Sequence, residues 1–355
     1  MSHFEHFRKR AAISVFLVFG AAYFSVSVSA GNAACATRLR ATKSGKQKPS
    51  KPTEYLEIPT TFRHKPPSES IASIRQLYVF GDSFSDVGNV FAASNGTEPH
   101  PPSYYDGRYS NGRNYVDFLG QMLLNETMTT ETVFAYGGAT TNNSFIPSYS
   151  TYLEGPVPDV PNQIQNYLAS PSAKEFAPSE RLYILWAGYN DYWYYINNVN
   201  HSLDLPDLVD VAEHVTSHVF HSVDTLVQEA GAERLLIVNL PNMAGFPDAG
   251  ENKTEAQVTA YQQVISLHNS LLQAQLDTVK EKEPELDVRL LDAHALYQQF
   301  EDKSSWLGLL HLHSKCYYDK DNICADPYSF SYWDSYHPQT ATHKRIADAA
   351  INVLL

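Results

Sequence analysis

Several motifs that would direct this chain to other chemistries are missing from it. No Gly-x-Ser-x-Gly surrounds any serine, so the sharp elbow of the α/β-hydrolases is not indicated. There is no His-Glu-x-x-His, no Walker A loop and no Gly-x-Gly-x-x-Gly, which removes the usual cues for a metalloprotease and for nucleotide or dinucleotide binding. No internal repeat is evident, and no second low-complexity linker interrupts residues 71–355, so that stretch reads as one domain with a sizeable core. Basic charge is scarce outside one end. Residues 1–53 hold nine Lys or Arg against Glu5 alone, a formal +8, which leaves the remainder at −21 of the net −13. An acidic body argues against nucleic acid or other polyanions as partners.

The basic end has its own organisation. Arg8-Lys9-Arg10 precede an apolar run from Ala11 to about Val28, and Val28-Ser29-Ala30 offers the small residues of a signal peptidase site. Residues 1–30 are therefore expected to be a signal peptide. The run is about long enough to span a bilayer, so an uncleaved anchor is the alternative, and membrane contact is expected only in that case. From Gly31 to Thr53 there are six Lys or Arg, no acid, and several Ser, Thr and Pro, so residues 31–70 are expected to form a basic disordered linker with little to bury. An organelle transit segment fits the same composition. The expected destination is extracellular, with a single-pass anchor or an organelle lumen as alternatives.

What is present in the body is a set of ordered blocks. Tyr78-Val79-Phe80-Gly81-Asp82-Ser83-Phe84-Ser85-Asp86 runs a β-branched and aromatic stretch into a tight Gly-Asp-Ser turn that can present a nucleophile. About 250 residues on, Trp333-Asp334-Ser335-Tyr336-His337-Pro338 sets a carboxylate and an imidazole three residues apart, the groups that activate a serine. Alone, either fragment is an ordinary turn. Between them lie Phe134-Ala135-Tyr136-Gly137-Gly138-Ala139-Thr140 and Leu185-Trp186-Ala187-Gly188-Tyr189-Asn190-Asp191.

In this order the four blocks resemble those of the GDSL, or SGNH, hydrolases, over roughly residues 75–355. Position by position, the resemblance implies that Ser83 is the nucleophile and that His337 and Asp334 complete its triad. It implies an oxyanion hole made of the backbone N–H groups of Ser83 and Gly138 and the side-chain amide of Asn190. Gly137 is the ambiguous neighbour of Gly138, which falls at the family's position three residues after Ala135. A second reading of Asn190, following an apolar strand, makes it a helix cap. With the nucleotide, dinucleotide and metalloprotease motifs missing, no cofactor is expected.

Strand-like runs at Leu77 to Phe80, Thr132 to Tyr136, Arg181 to Ala187, Arg234 to Leu240 and Asp287 to Leu291 alternate with helical patterns, which predicts a parallel sheet with helices on both faces. Helical spacing is clear over Leu208 to Ala230, Thr254 to Lys282 and Thr342 to Leu355. With the resemblance, the fold class is α/β, a three-layer α/β/α sandwich of the flavodoxin-like SGNH type. Ser83 and Asn190 would then sit beyond the carboxyl ends of strands, where open α/β sheets place ligands.

Cys316 and Cys324 bracket a Tyr- and Asp-rich loop just before the Asp-x-x-His block, and in a secretory compartment they are expected to form a disulfide; Cys35 falls in the linker. Glycosylation sequons occur at Asn95, Asn125, Asn142, Asn200 and Asn252. The histidine groups His214, His218 and His221, and His311 and His313 with Cys316, lack acids to complete a metal site, so no metal is expected. His268 occupies the apolar stripe of its helix and reads as a core residue. Tyr189, Tyr192, Trp193, Tyr194 and Tyr195 follow Asn190 and either pack the core or line an acyl or sugar pocket.

The segment from Gly107 to Leu119, with Tyr136 to Thr140 and His337-Pro338-Gln339-Thr340, resembles the subgroup that includes fungal acetylesterases among the carbohydrate esterases. Similar blocks recur in phospholipase-like and haemolysin-like members. The expected substrate is a small-molecule or polysaccharide carrying short acyl esters. Lipid acyl esters, or acyl transfer to an alcohol, come second, and a secreted binding glycoprotein without activity is a remote third.

Overall fold

The computed structural model describes residues 69–149, 153, 155–197 and 207–355. The expected signal peptide or anchor, the linker up to residue 68, Cys35 and the sequon at Asn200 lie outside the described residues. Within them, β1 (Gln76–Gly81), β2 (Arg181–Trp186), β3 (Arg234–Val238) and β4 (Asp287–Leu291) pair in that order, all parallel. Successive residues of a strand point to opposite faces, and here both faces are buried. Leu77, Val79, Leu182 and Ile184 enter one core cluster, while Tyr78, Phe80, Tyr183 and Leu185 enter another.

Helices cover both clusters. Tyr115–Leu123 and Thr340–Leu354 close the first. Val160–Ala169 and Leu272 and Leu276 of Glu255–Lys282 close the second. Leu208–Ala230 serves both, giving Val211 and Val215 to the first and Val219, Val223 and Leu226 to the second. The result is the three-layer α/β/α sandwich that alternating strand and helix patterns imply. Helix ends follow their caps. Asp207 caps Leu208–Ala230, which stops at Gly231 with φ 66°. A Thr254 and Gln257 capping box opens Glu255–Lys282. The last helix begins at Thr340, two residues earlier than its apolar pattern, because the Gln339 side chain accepts the Ala341 N–H at 2.7 Å.

The Thr132 to Tyr136 run is less regular than its composition predicts. It lies beside β1 with a single parallel bridge, Val79 to Val133. The Val79 N–H donates to the Thr132 carbonyl at 3.1 Å and the Phe134 N–H to the Val79 carbonyl at 2.8 Å. The Tyr136 N–H reaches the Gly81 carbonyl at 3.2 Å, but the Gly81 N–H goes to the Gln163 side chain, and turns close on the Thr129 carbonyl before the segment and on the Tyr136 carbonyl after it, so the pairing stays short. With this segment counted, the spatial order is second, first, third, fourth, fifth in chain order. That is the flavodoxin-like arrangement, whose direction reverses between β1 and β2 and leaves a crevice at their carboxyl ends.

β1 ends in that crevice under tight constraint. Gly81 has φ +147°, and a Cβ there would lie 2.1 Å from the Trp186 carbonyl oxygen of β2. The Gln163 side chain brackets Gly81 with two bonds of 2.9 Å, accepting its N–H and donating to its carbonyl. Asp82 follows, only 1% exposed. Its Oδ1 accepts the Phe84 N–H at 3.1 Å, and its Oδ2 has no partner among the described residues. Burial pushes the Asp82 carboxyl up to about 7, against the Phe84 hydrogen bond and the charge of His337.

Two stability predictions follow from this strand end. Gly81→Ala should cost about 3 kcal/mol or more, since a backbone oxygen must move and the new residue keeps a strained φ. Equilibrium urea denaturation reads this directly, and an unchanged midpoint would show that the strands separate freely there. Asp82 is protonated in the fold but ionised in the unfolded chain between its ordinary value of 3.8 and about 7. Its contribution is therefore fully present below that window and is lost as pH rises through it. Asp82→Asn keeps the acceptor for Phe84 and removes the charge. It should melt several degrees above the parent at pH 8, and the gap should narrow steadily as pH falls through the window toward 4. A parent that melts higher at pH 8 would contradict the buried proton.

Candidate active site

The turn after β1 is built around Asp86. Its Oδ1 accepts the N–H groups of Gly88 and Asn89, both at 2.7 Å, and its Oδ2 accepts those of Val90 at 3.2 Å and Gly137 at 2.9 Å. Asn89 adds bonds from its amide to the Val133 and Ala135 carbonyls at 2.8 and 2.9 Å. The Gly137-Gly138 loop is held from the other side by Asp191, which accepts the Thr141 N–H at 3.0 Å and the Thr141 hydroxyl at 2.7 Å. Thus the first and third sequence blocks each clamp the second.

Ser83 Oγ lies 2.8 Å from His337 Nε2. His337 Nδ1 lies 2.9 and 2.8 Å from the two oxygens of Asp334. The Asp334 carboxylate also accepts the N–H groups of Tyr336 at 2.8 Å and His337 at 2.7 Å, and the Tyr104 hydroxyl at 2.7 Å. Burial alone would raise its pKa; the charge and hydrogen bond of His337, the Tyr336 N–H and the Tyr104 hydroxyl hold it below the usual carboxylate range. An ionised carboxylate only accepts, so Nδ1 carries the imidazole proton and Nε2 is left to accept from the serine hydroxyl.

The remaining assigned residues face the same space. Gly137 has its N–H committed to Asp86, whereas the N–H groups of Gly138 and Ser83 make no hydrogen bond among the described residues. Gly138 takes φ +82°, a conformation natural to glycine. Asn190 is not a cap. The helix Tyr189–Ile196 starts from Gly188 with φ 119° and no side-chain cap, and Asn190 Nδ2 instead donates to the Ala139 carbonyl at 2.9 Å, leaving its other amide hydrogen without an acceptor among the described residues. Ser83, Gly138, Asn190 and His337 all line one cavity of about 370 Å³.

Six aromatic residues line it: Tyr109, Tyr149, Tyr189, Trp193, Tyr194 and Tyr336. The cluster after Asn190 therefore divides. Tyr189, Trp193 and Tyr194 line the cavity, while Tyr192 is buried with its hydroxyl 2.8 Å from His268 Nδ1. Burial lowers His268 to about 3, so it is a neutral core residue. Tyr109 packs its ring 5.0 Å from that of His337, and a Cβ on Gly137 would lie 2.4 Å from it, which explains glycine at that position. Its neighbours hold the histidine segment: Ser110 Oγ donates to the Pro338 carbonyl at 3.0 Å, and Asn111 Oδ1 accepts the Thr340 N–H at 2.8 Å.

Cys316 and Cys324 are joined by a disulfide, so Cys316 is not a free thiolate for His311 and His313. The Cys316 and Tyr317 N–H groups donate to the Trp333 carbonyl at 3.1 and 2.7 Å, tying the bridged loop to the residue before Asp334. Among the described residues no cluster of three or more His, Cys, Asp or Glu is placed to hold a metal ion. Sequence reasoning missed Tyr104 and Glu98, both beside the site. They lie in a proline-rich loop with no periodicity, and nothing local marks either one.

Residues 77–350 match the GDSL-like lipase/acylhydrolase family. The chain is 25% identical over 297 residues to the thermolabile hemolysin of Vibrio parahaemolyticus, a match covering 78% of this chain and 62% of that protein. It is 27% identical over 255 residues to the phosphatidylcholine-sterol acyltransferase of Aeromonas hydrophila, covering 70% and 68%. It is 23% identical over 280 residues to the acetylesterase of Thermothelomyces thermophilus, covering 78% and 87%. The chain thus spans less than two thirds of the hemolysin's length. Matched over most of its length, it belongs to the GDSL-like lipase/acylhydrolase family, and so to the carboxylic ester hydrolases.

Proposed function

We propose that this chain is a serine esterase that cleaves short acyl esters of carbohydrates through an acyl-enzyme on Ser83. The observation that carries the reading is the unbroken hydrogen-bonded chain from Ser83 Oγ through His337 to Asp334, at the wall of an aromatic cavity. In the first half-reaction His337 Nε2 takes the Ser83 proton as Oγ attacks the ester carbonyl, and Asp334 steadies the imidazolium. The oxyanion is received by the N–H groups of Ser83 and Gly138 and the free amide hydrogen of Asn190. His337 then protonates the departing alcohol, and water repeats the sequence to release the acid.

Support for a short-acyl, carbohydrate substrate comes from the modest cavity volume and its ring-lined wall, which suits the C–H faces of a sugar. Similarity to an acetylesterase points the same way. Lipid acyl esters, or transfer to an alcohol, form the second reading, favoured by the similarity to an acyltransferase. The proposed setting is outside the cell, supported by the basic-then-apolar residues 8–28 and by the Cys316–Cys324 disulfide.

A fluorophosphonate probe should label one serine, Ser83. Ser83→Ala should lose that label and lower kcat/KM for p-nitrophenyl acetate on the order of 10⁴-fold or more. A label mapped to another serine would overturn the nucleophile. Asn190→Ala should lower kcat by about 10² to 10³ with KM little changed, because its bond strengthens as charge develops. If only the melting temperature falls, Asn190 merely holds the Ala139 carbonyl. Products from acetyl-xylo-oligosaccharide, phosphatidylcholine and a competing alcohol separate the substrates: faster release from the phospholipid, or a new ester of the alcohol, would favour the second reading.

A further inference from the structure

Among the described residues that line the cavity, Glu98 is the only acid. Its backbone is pinned, with its N–H donating to Ser94 Oγ at 2.9 Å and the same hydroxyl donating to its carbonyl at 3.2 Å. Its side-chain oxygens make no hydrogen bond or ion pair with the described residues. Burial raises its pKa, the charges of His337 and His100 oppose that rise, and the charge of Asp334 adds to it. The carboxylate thus lines the same cavity as the imidazole and is bonded by none of the described residues.

That position has a chemical meaning. In ester cleavage the bond from the acyl carbon to the alcohol oxygen breaks as the serine-facing nitrogen of the histidine protonates that oxygen, so groups near the imidazole meet the alcohol portion of the ester. Glu98 is partly exposed, so water meets its oxygens in the empty cavity, and a ligand that displaces that water must bring donors of its own. Resting on the serine-esterase reading above, we propose that Glu98 is a specificity-determining residue that accepts hydrogen bonds from hydroxyls on the alcohol portion. It selects esters of sugars and polyols over esters of simple alcohols. A phosphate on that portion meets like charge, so the same group discriminates against phospholipid esters.

The test uses two esters with one carbon frame, glycerol monoacetate and propyl acetate, and reads the ratio of their kcat/KM values. The parent should favour the hydroxylated ester about 10-fold or more, because a site built to receive hydroxyls is left unpaired without them. Glu98→Ala should bring the ratio toward one, mainly through KM for glycerol monoacetate. Glu98→Gln, which keeps an acceptor oxygen, should retain part of it and guards against misfolding of the alanine variant. An unchanged ratio in Glu98→Ala, or a parent ratio near one, overturns the proposal. So does a preference for acetylcholine that Glu98→Ala abolishes while sparing the glycerol ratio, since the carboxylate would then read a cation. A parent that cleaves neither acetate fails the esterase reading itself, a result distinct from an active parent with a flat ratio, and takes the Glu98 role with it.

Discussion

The Asp86 carboxylate gathers four backbone N–H groups from two separate segments, and the geometry of the site depends on that gathering. Three donors come from the start of the Asn89–Ala93 helix and fix the turn that carries Ser83. The fourth comes from Gly137 and fixes the loop that carries Gly138. A buried carboxylate with so many donors is stiff, because releasing any one of them leaves a polar group unpaired in a dry interior. Asp191 repeats the device from the other strand, bonding Thr141. The two clamps let a loop with no regular strand of its own keep two adjacent glycines in register, one N–H consumed and the next left open to the cavity.

This division explains what could and could not be read from the sequence. Ser83, Asn190, Asp334 and His337 were legible because each is a chemically distinctive residue in a block of ordered neighbours. The long helices were legible because Val211, Val215, Val219 and Val223 repeat at helical spacing. Thr132 to Tyr136 has the composition of a strand, yet local turns on both sides and the Gln163 side chain on the Gly81 N–H cut its pairing short, and composition says nothing about a side chain that takes a ladder donor from 82 residues away. The Asn190 cap reading failed for a related reason: Gly188 opens the helix by backbone conformation alone, so no side chain is needed to cap it. Tyr104 and Glu98 reach the site from a loop some 230 residues away in sequence from Asp334, and only the folded chain brings them there.

Around the histidine, packing replaces length. His337 sits on a short turn, which by itself would leave its imidazole free to rotate. The ring of Tyr109 lies 5.0 Å from it and that of Phe84 6.0 Å, on different neighbouring segments. Behind it, Trp333 stacks on Tyr317 with centroids 5.3 Å apart, next to the disulfide, and Tyr104 meets both edge-on. The turn is thus held by rings, by a covalent loop and by short strand pairing at both its ends, Lys315 with Tyr332 and Tyr332 with Pro338.

Two carboxylates lie near one imidazole, and their hydrogen bonding separates their parts in the proposed reaction. Asp334 is saturated: two N–H groups, a phenol and the imidazole itself all donate to it. Each donor favours its ionised form, so it can hold the imidazolium through the reaction without taking the proton. Glu98 lacks such donors and faces the cavity. Were it saturated in the same way, it would stabilise charge at the histidine and ignore the substrate. Without a partner among the described residues, its oxygens meet water until a ligand displaces it, which makes its contribution to binding conditional on the ligand. Orientation of the base and selection of the alcohol are thereby assigned to different carboxylates, and either can change without disturbing the hydrogen bonds of the other.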